Sequence, residues 1–229
     1  LFPSIMGRVL HKILSVVERY AFTKADRINL VSPGFESYFT NLYPGSDLRF
    51  FTNGIDEEFL NISNHEKLPN STDSRLRITY AGNIGYGQGL EKTLIPISKH
   101  FGSEIKFNII GDGSSAKILE NKIKIENVSN INITDPVPRS SLIKFYNNAD
   151  VLFLQLNDIK AFNNVLPSKI FEYGSFDKPI LAGVSGTAKN FIQKNLSQSF
   201  IFHPNDPNEG IEKLNQIINL KNIVINNRD

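Results

Sequence analysis

Residues 78–89 read Ile78-Thr79-Tyr80-Ala81-Gly82-Asn83-Ile84-Gly85-Tyr86-Gly87-Gln88-Gly89. The first four suit a buried strand, and they pass without a break into a loop with glycine at positions 82, 85, 87 and 89. Glycines so closely spaced let a backbone approach a ligand and turn its amides toward an anion. The pattern then repeats toward the C-terminus. Apolar strand-like runs lie at 105–110, 131–134, 151–156, 180–182 and 200–202, and helical stretches at 89–100, 114–125, 139–148, 168–176, 186–195 and 208–220. Short apolar strands alternating with helices predict an α/β fold with a parallel sheet covered on both faces. Ligands in such sheets bind outside the carboxyl ends of the strands, so chemistry is expected in the βα loops.

The chain before residue 75 is different. Residues 4–24 predict one long amphipathic helix, with Ile5, Val9, Ile13, Val16, Val17 and Tyr20 at helical spacing and Arg8, Lys12 and Arg19 between them. Such a helix packs on its own domain, or lies on an anionic membrane as a peripheral contact. A strand at 27–31, a helix begun by Ser32-Pro33 and a strand at 48–52 follow. Residues 62–76 are mostly polar and aperiodic and read as a linker. The expected division is therefore a first unit at 1–61, a linker at 62–76 and a sheet domain at 77–229. The opening Leu1-Phe2-Pro3 suggests a piece of a longer chain.

Composition narrows the function. Of 229 residues 40% are hydrophobic and 21% charged, as in a folded domain. A net charge of +2 argues against nucleic acid as the main partner. No cysteine is present, which excludes disulfides and thiolate chemistry and suits a cytoplasmic protein. The four histidines (His11, His65, His100, His203) show no ligand spacing, so no metal cofactor is expected. No apolar run approaches the ~18 residues that span a bilayer.

Four segments are candidates for the site. In the glycine loop, the third position of a dinucleotide fingerprint is filled by Leu90, which weakens a dehydrogenase reading. No Gly-Lys-Ser/Thr follows, so it is not a P-loop. The Gly111-Asp112-Gly113 turn suits either structure or ligand contact. Asp135-Pro136-Val137-Pro138-Arg139 is stiffened by two prolines, which suits a shelf for a flat base. Arg139 faces phosphate or solvent. The fourth segment, Asn164-Val165-Leu166-Pro167-Ser168-Lys169-Ile170-Phe171-Glu172-Tyr173, starts a helix with proline in its first turn. That leaves the amides of Ser168 and Lys169 free for a diphosphate, with the Lys169 charge beside them. Glu172 shares a face with Lys169 and Ser168 and suits the two hydroxyls of a ribose. The alternative is an ordinary Lys169–Glu172 surface pair.

On these stretches the sequence resembles bacterial glycosyltransferases of the GT-B fold, in the retaining family 4, nearest to the O-antigen and capsule type. The matching segments are 80–90 (YAGNIGYGQGL), 109–113 (IIGDG), 138–151, 167–182 (PSKIFEYGSFDKPILA), 25–32 (ADRINLVS) and 52–56 (TNGID). The resemblance implies two Rossmann-like domains, with residues 77–229 as the donor-binding one and the first unit as the closing part of an acceptor-side domain. It implies that Glu172 is the second glutamate of an E-x7-E motif and holds the ribose. Leu166, Ser168 and Lys169 would then face the diphosphate, Gly82, Asn83, Gly85, Gln88 and Gly111 would approach it, and Val137 to Arg139 would flank the base. Lys169 and Glu172 become the expected catalytic pair.

Two departures stand out. Asn164 occupies the place of the motif's first glutamate, and Asn83 and Gln88 occupy places where many members carry arginine and lysine. The implied activity is metal-independent transfer of a sugar, from a UDP-sugar by expectation, to a lipid-diphosphate-linked saccharide in surface polysaccharide synthesis. It would take place in the cytoplasm or at the inner face of the plasma membrane. The alternatives are a nucleotide-binding module without turnover, and a nucleotide-sugar epimerase of the same fold, which needs paired acids or a histidine around the sugar.

Overall fold

The computed structural model describes residues 5–60 and 75–226, which divide into two compact units between Asn53 and Gly54. In the first unit, helix α1 (Ile5–Lys24) leads to strand β1 (Arg27–Asn29), helix α2 (Glu36–Leu42) and strand β2 (Asp47–Arg49). The two strands pair in parallel, Arg27 opposite Asp47 and Asn29 opposite Arg49. Both are shorter than the sequence predicts. Helix α1 docks through Phe22, whose ring lies 4.8 Å from Phe39 and 5.5 Å from Tyr43. The Glu18 carboxylate accepts hydrogen bonds from Tyr38 Oη at 2.6 Å and Tyr43 Oη at 3.2 Å. The apolar stripe of α1 is not the docked face: Met6, Val9, Ile13, Val16, Val17 and Tyr20 are all exposed.

The second unit opens with helix α3 (Glu57–Leu60). The sequence pattern assigns residues 54–60 to the first unit. They group with the second because Phe59 is buried there, its ring 6.2 Å from Tyr146 and 6.3 Å from Phe176. The expected linker, 62–76, lies outside the described residues except for its last two, and Leu76 already begins a strand.

Strands β3 (Leu76–Ala81), β4 (Ile105–Ile110), β5 (Ile131–Thr134), β6 (Val151–Gln155), β7 (Ile180–Gly183) and β8 (Ser199–Phe202) form one sheet in the order β5-β4-β3-β6-β7-β8. Every neighbouring pair is parallel. Between the strands come α4 (Leu94–Phe101), α5 (Ala116–Ile125), α6 (Arg139–Asn148), α7 (Lys169–Gly174) and α8 (Gly186–Asn195), and α9 (Pro207–Asn226) closes the order. Alternation along each strand sends side chains to two separate cores. Ile78, Phe107 and Phe153 meet α4, α5 and α9 on one face, and Ala81, Leu152 and Leu154 meet α6, α7 and α8 on the other. This is the Rossmann-like α/β sheet expected from the pattern of runs.

The topology fixes where a ligand can sit. From β3 the chain winds outward to β4 and β5, then returns to the other side of β3 as β6. The crossovers on either side of the β3/β6 boundary leave in opposite directions, which opens a crevice at the carboxyl ends of these two strands.

Candidate active site

The β3–β6 ladder ends early. Ile78 pairs with Val151 and Thr79 with Leu152, whereas β3 and β4 pair along six residues. Where the next bond would run, from Ala81 N to Phe153 O, the hydroxyl of Tyr173 is inserted. It accepts from Ala81 N at 3.3 Å and donates to Phe153 O at 3.1 Å. The phenol thus wedges the strand ends apart while satisfying both backbone groups. Burial raises the pKa of Tyr173 well above the ordinary value, so it stays a neutral donor.

A cleft of about 290 Å³ opens at the ends of β3 and β4. Gly82, Asn83 and Gly111 line its floor, Pro136, Val137 and Leu142 one wall, and Lys169 the other. The floor is backbone on backbone: Gly82 N donates to Ile110 O at 2.9 Å and Ile84 N to Asp112 O at 2.8 Å. A Cβ at Gly111, whose φ is +149°, would fall 1.9 Å from Gly82 O, so only glycine permits this approach.

Opposite the floor, three polar side chains meet. Lys169 Nζ lies 2.7 Å from Glu172 Oε2 and 3.3 Å from Tyr146 Oη, and Tyr146 Oη lies 3.3 Å from the same Glu172 oxygen. An ammonium only donates, so the phenol oxygen accepts from Lys169 and its proton goes to Glu172. Tyr146 is fully buried against Tyr173 and Phe176, and that burial, more than the nearby Tyr173 and Glu172, raises its pKa and keeps it protonated. The ammonium and carboxylate are mostly buried, with 20% and 17% of their side-chain surface exposed. Such a pair adds little stability against its desolvation. Its chemical value is a positive charge at the cleft wall that an entering anion must win from Glu172.

Of the residues singled out from the sequence, the structure brings Gly82, Asn83, Gly111, Val137 and Lys169 onto one cleft, with Glu172 joined through Lys169. The others lie apart from its lining. Gln88 turns into its own loop, where Oε1 accepts from Asn83 Nδ2 at 3.0 Å and from Gly85 N at 3.2 Å. Arg139 pairs with Asp56 instead of flanking the cleft. Leu166 is buried in the core beneath α7, and Ser168 is exposed with no side-chain cap bond. The helix expected at 168–176 has only six residues, so its dipole is short; the amides of Ser168 and Lys169 carry no hydrogen bond among the described residues. Asn164 ends a 3-10 turn, Lys160–Asn164, ahead of this helix. No sequence signal gives Tyr146 or Tyr173 a role, although Tyr173 closes the candidate segment 164–173. Tyr146 sits 26 residues from its carboxylate partner, where no local spacing reveals it.

The sequence of residues 62–228 matches the family of glycosyl transferases group 1. No curated protein matches the chain. Solved structures with the same fold include a mutant of S. aureus TarM in complex with fondaparinux, α-GlcNAc-glycerol and UDP (14% identity, TM-score 0.67, covering 88% of this chain and 39% of that one). Anabaena Alr3699/HepE in complex with UDP and glucose is similar at 14% identity and TM-score 0.68, over 90% of this chain and 56% of the other. The lipopolysaccharide outer core galactosyltransferase WaaB, in its apo form, aligns at 16% identity and TM-score 0.63, over 86% of this chain and 54% of its own. These likenesses concern the fold, and the chain spans between 39% and 56% of the length of the three. With a parallel sheet of that fold and a family match over most of its length, the chain belongs to the group 1 glycosyl transferases.

Proposed function

We propose that this chain carries the donor side of a retaining, metal-independent glycosyltransferase of family 4, which moves a sugar from UDP to a lipid-diphosphate-linked saccharide in O-antigen or capsule synthesis. One observation carries the reading: the Lys169–Glu172–Tyr146 cluster borders the glycine-floored cleft at the topological switch point of the sheet. In this reading Lys169 and nearby backbone amides hold the diphosphate and stabilise it as it leaves. Glu172 accepts the ribose hydroxyls, and Pro136 and Val137 form the shelf for the base. The first unit belongs to the acceptor side. The UDP present with two of the similar structures supports the choice of nucleotide.

The exposed apolar stripe of α1, flanked by Arg8, Lys12 and Arg19, supports peripheral contact with an anionic membrane at the cytoplasmic face. No described helix is long and apolar enough to cross one. Binding of nucleotide without turnover is the second reading for this chain alone, because it spans about half the length of its structural relatives.

Calorimetric titration with UDP, GDP and ADP tests the donor assignment. UDP is expected to bind most tightly, with loss on Lys169→Ala or Glu172→Ala. If no diphosphate binds, or neither variant matters, the reading is wrong.

A further inference from the structure

Gln155 ends strand β6 and Asn157 follows two residues later, both fully buried and neither lining the cleft. Together they bind four consecutive carbonyls of the glycine loop. Asn157 Nδ2 donates to Tyr86 O at 2.8 Å and its backbone amide to Gly87 O at 2.8 Å. Gln155 Nε2 donates to Gln88 O at 3.1 Å and Gly89 O at 2.9 Å. The Asn157 carboxamide is itself fixed, since Oδ1 accepts from Lys92 Nζ at 2.9 Å and Asn205 Nδ2 at 2.7 Å. Gly89, at φ +58°, packs so closely that a Cβ would sit 3.0 Å from Asn157 Cγ.

Burying two carboxamides at a strand end is costly, the more so because Gln155 Oε1 has no hydrogen-bond partner among the described residues, and the neighbouring Leu154 and Leu156 fill similar buried positions with apolar side chains. The loop explains the polar choice. In a trans peptide the N–H points opposite to the C=O. Holding Tyr86 O against Asn157 therefore directs the Gly87 amide away from β6. Gly85 O, taken by the amides of Gln88 at 3.0 Å and Gly89 at 3.3 Å, fixes the preceding peptide in the same way. The amides of Tyr86 and Gly87 have no partner among the described residues.

We infer that Gln155 and Asn157 are positioning residues for the donor site: by holding the carbonyls of Tyr86 to Gly89 they preset the glycine loop whose Gly82 and Asn83 line the cleft. The inference rests on the donor-site reading above.

The test pairs UDP titration with amide hydrogen exchange on the wild type, Asn157→Ala and Lys92→Met, the last removing only the outer hydrogen bond. Asn157→Ala is expected to speed exchange at 83–90 while β3 and β4 stay protected, and to weaken UDP binding about tenfold. Lys92→Met is expected to do both in smaller measure, with about a threefold loss. A purely structural role lowers the melting temperature but leaves the Kd of the folded protein unmoved, and that outcome overturns the inference. If Asn157→Ala does not fold, unchanged affinity and exchange in Lys92→Met overturn it. A wild type that binds no UDP defeats the donor-site reading instead, while the exchange arm still reports whether the two side chains hold the loop.

Discussion

The two sides of the cleft hold opposite resources. Residues 82–89 carry no charged side chain, and their shape comes from glycine, a Gln88–Asn83 bond and carbonyls tied to β6. The α7 side carries charge and little shape, in one ammonium held by one carboxylate and one phenol. In the proposed reading the two sides contribute different parts of donor binding. Orientation is spread over many weak backbone bonds, so losing one of them is survivable. In that reading attraction is concentrated in Lys169, because the facing loop, residues 82–89, carries no cation. Removing it has no local substitute.

Alkali strikes both sides at once and has the largest expected effect. Tyr80, whose hydroxyl donates to Asn83 O at 2.7 Å, supports the loop, while Tyr146 and Tyr173 support α7. Burial raises all three phenols above their ordinary 10.0. The unfolded chain therefore loses these protons first as pH rises. Their stabilisation is complete below pH 10 and falls as pH rises above it, because the unfolded chain ionises while the buried phenols do not. Denaturant unfolding at pH 8, 10 and 11 is expected to show a level stretch and then a steep fall.

Lys169→Ala removes the charge from the α7 side alone, and UDP binding is expected to weaken by about 100-fold, the scale of a lost charge-assisted contact. Glu172→Gln separates the two roles of the pair. UDP binding is expected to weaken about tenfold through the ribose, while inorganic pyrophosphate binds more tightly because Lys169 no longer has a competing carboxylate. Tyr146→Phe is expected to cost about threefold for UDP and little for pyrophosphate, since Glu172 loses its aim while Lys169 loses only a neutral acceptor. Equal losses for both ligands in these two variants would merge the roles that the geometry keeps apart.

The layout of β3 to β8 was legible because those strands are apolar runs and most helices between them carry a 3.6-residue pattern, both local signals, whereas β1 and β2 are three-residue strands with polar ends. The Lys169–Glu172 pairing was legible for the same reason, being an i,i+3 spacing within one turn. Contacts made through the fold were not. Tyr146 reaches Glu172 only because α6 packs beside α7, and Arg139 finds Asp56 from a segment whose sequence pattern places it in the other unit. Phe59 moves the boundary between units because one buried ring outweighs the polar look of its surroundings. Gln155 did leave a trace, a carboxamide inside the apolar run 151–156, and a buried polar residue of that kind calls for a partner.

In the proposed reading the cleft beside Lys169 receives a nucleoside diphosphate. A crystal structure of the chain with UDP tests it most directly. The diphosphate is expected within hydrogen-bond distance of Lys169 Nζ, with the Lys169–Glu172 contact opened and the Glu172 carboxylate on the ribose. UDP bound elsewhere, or bound with the 2.7 Å pair still closed and the ribose away from Glu172, would contradict it.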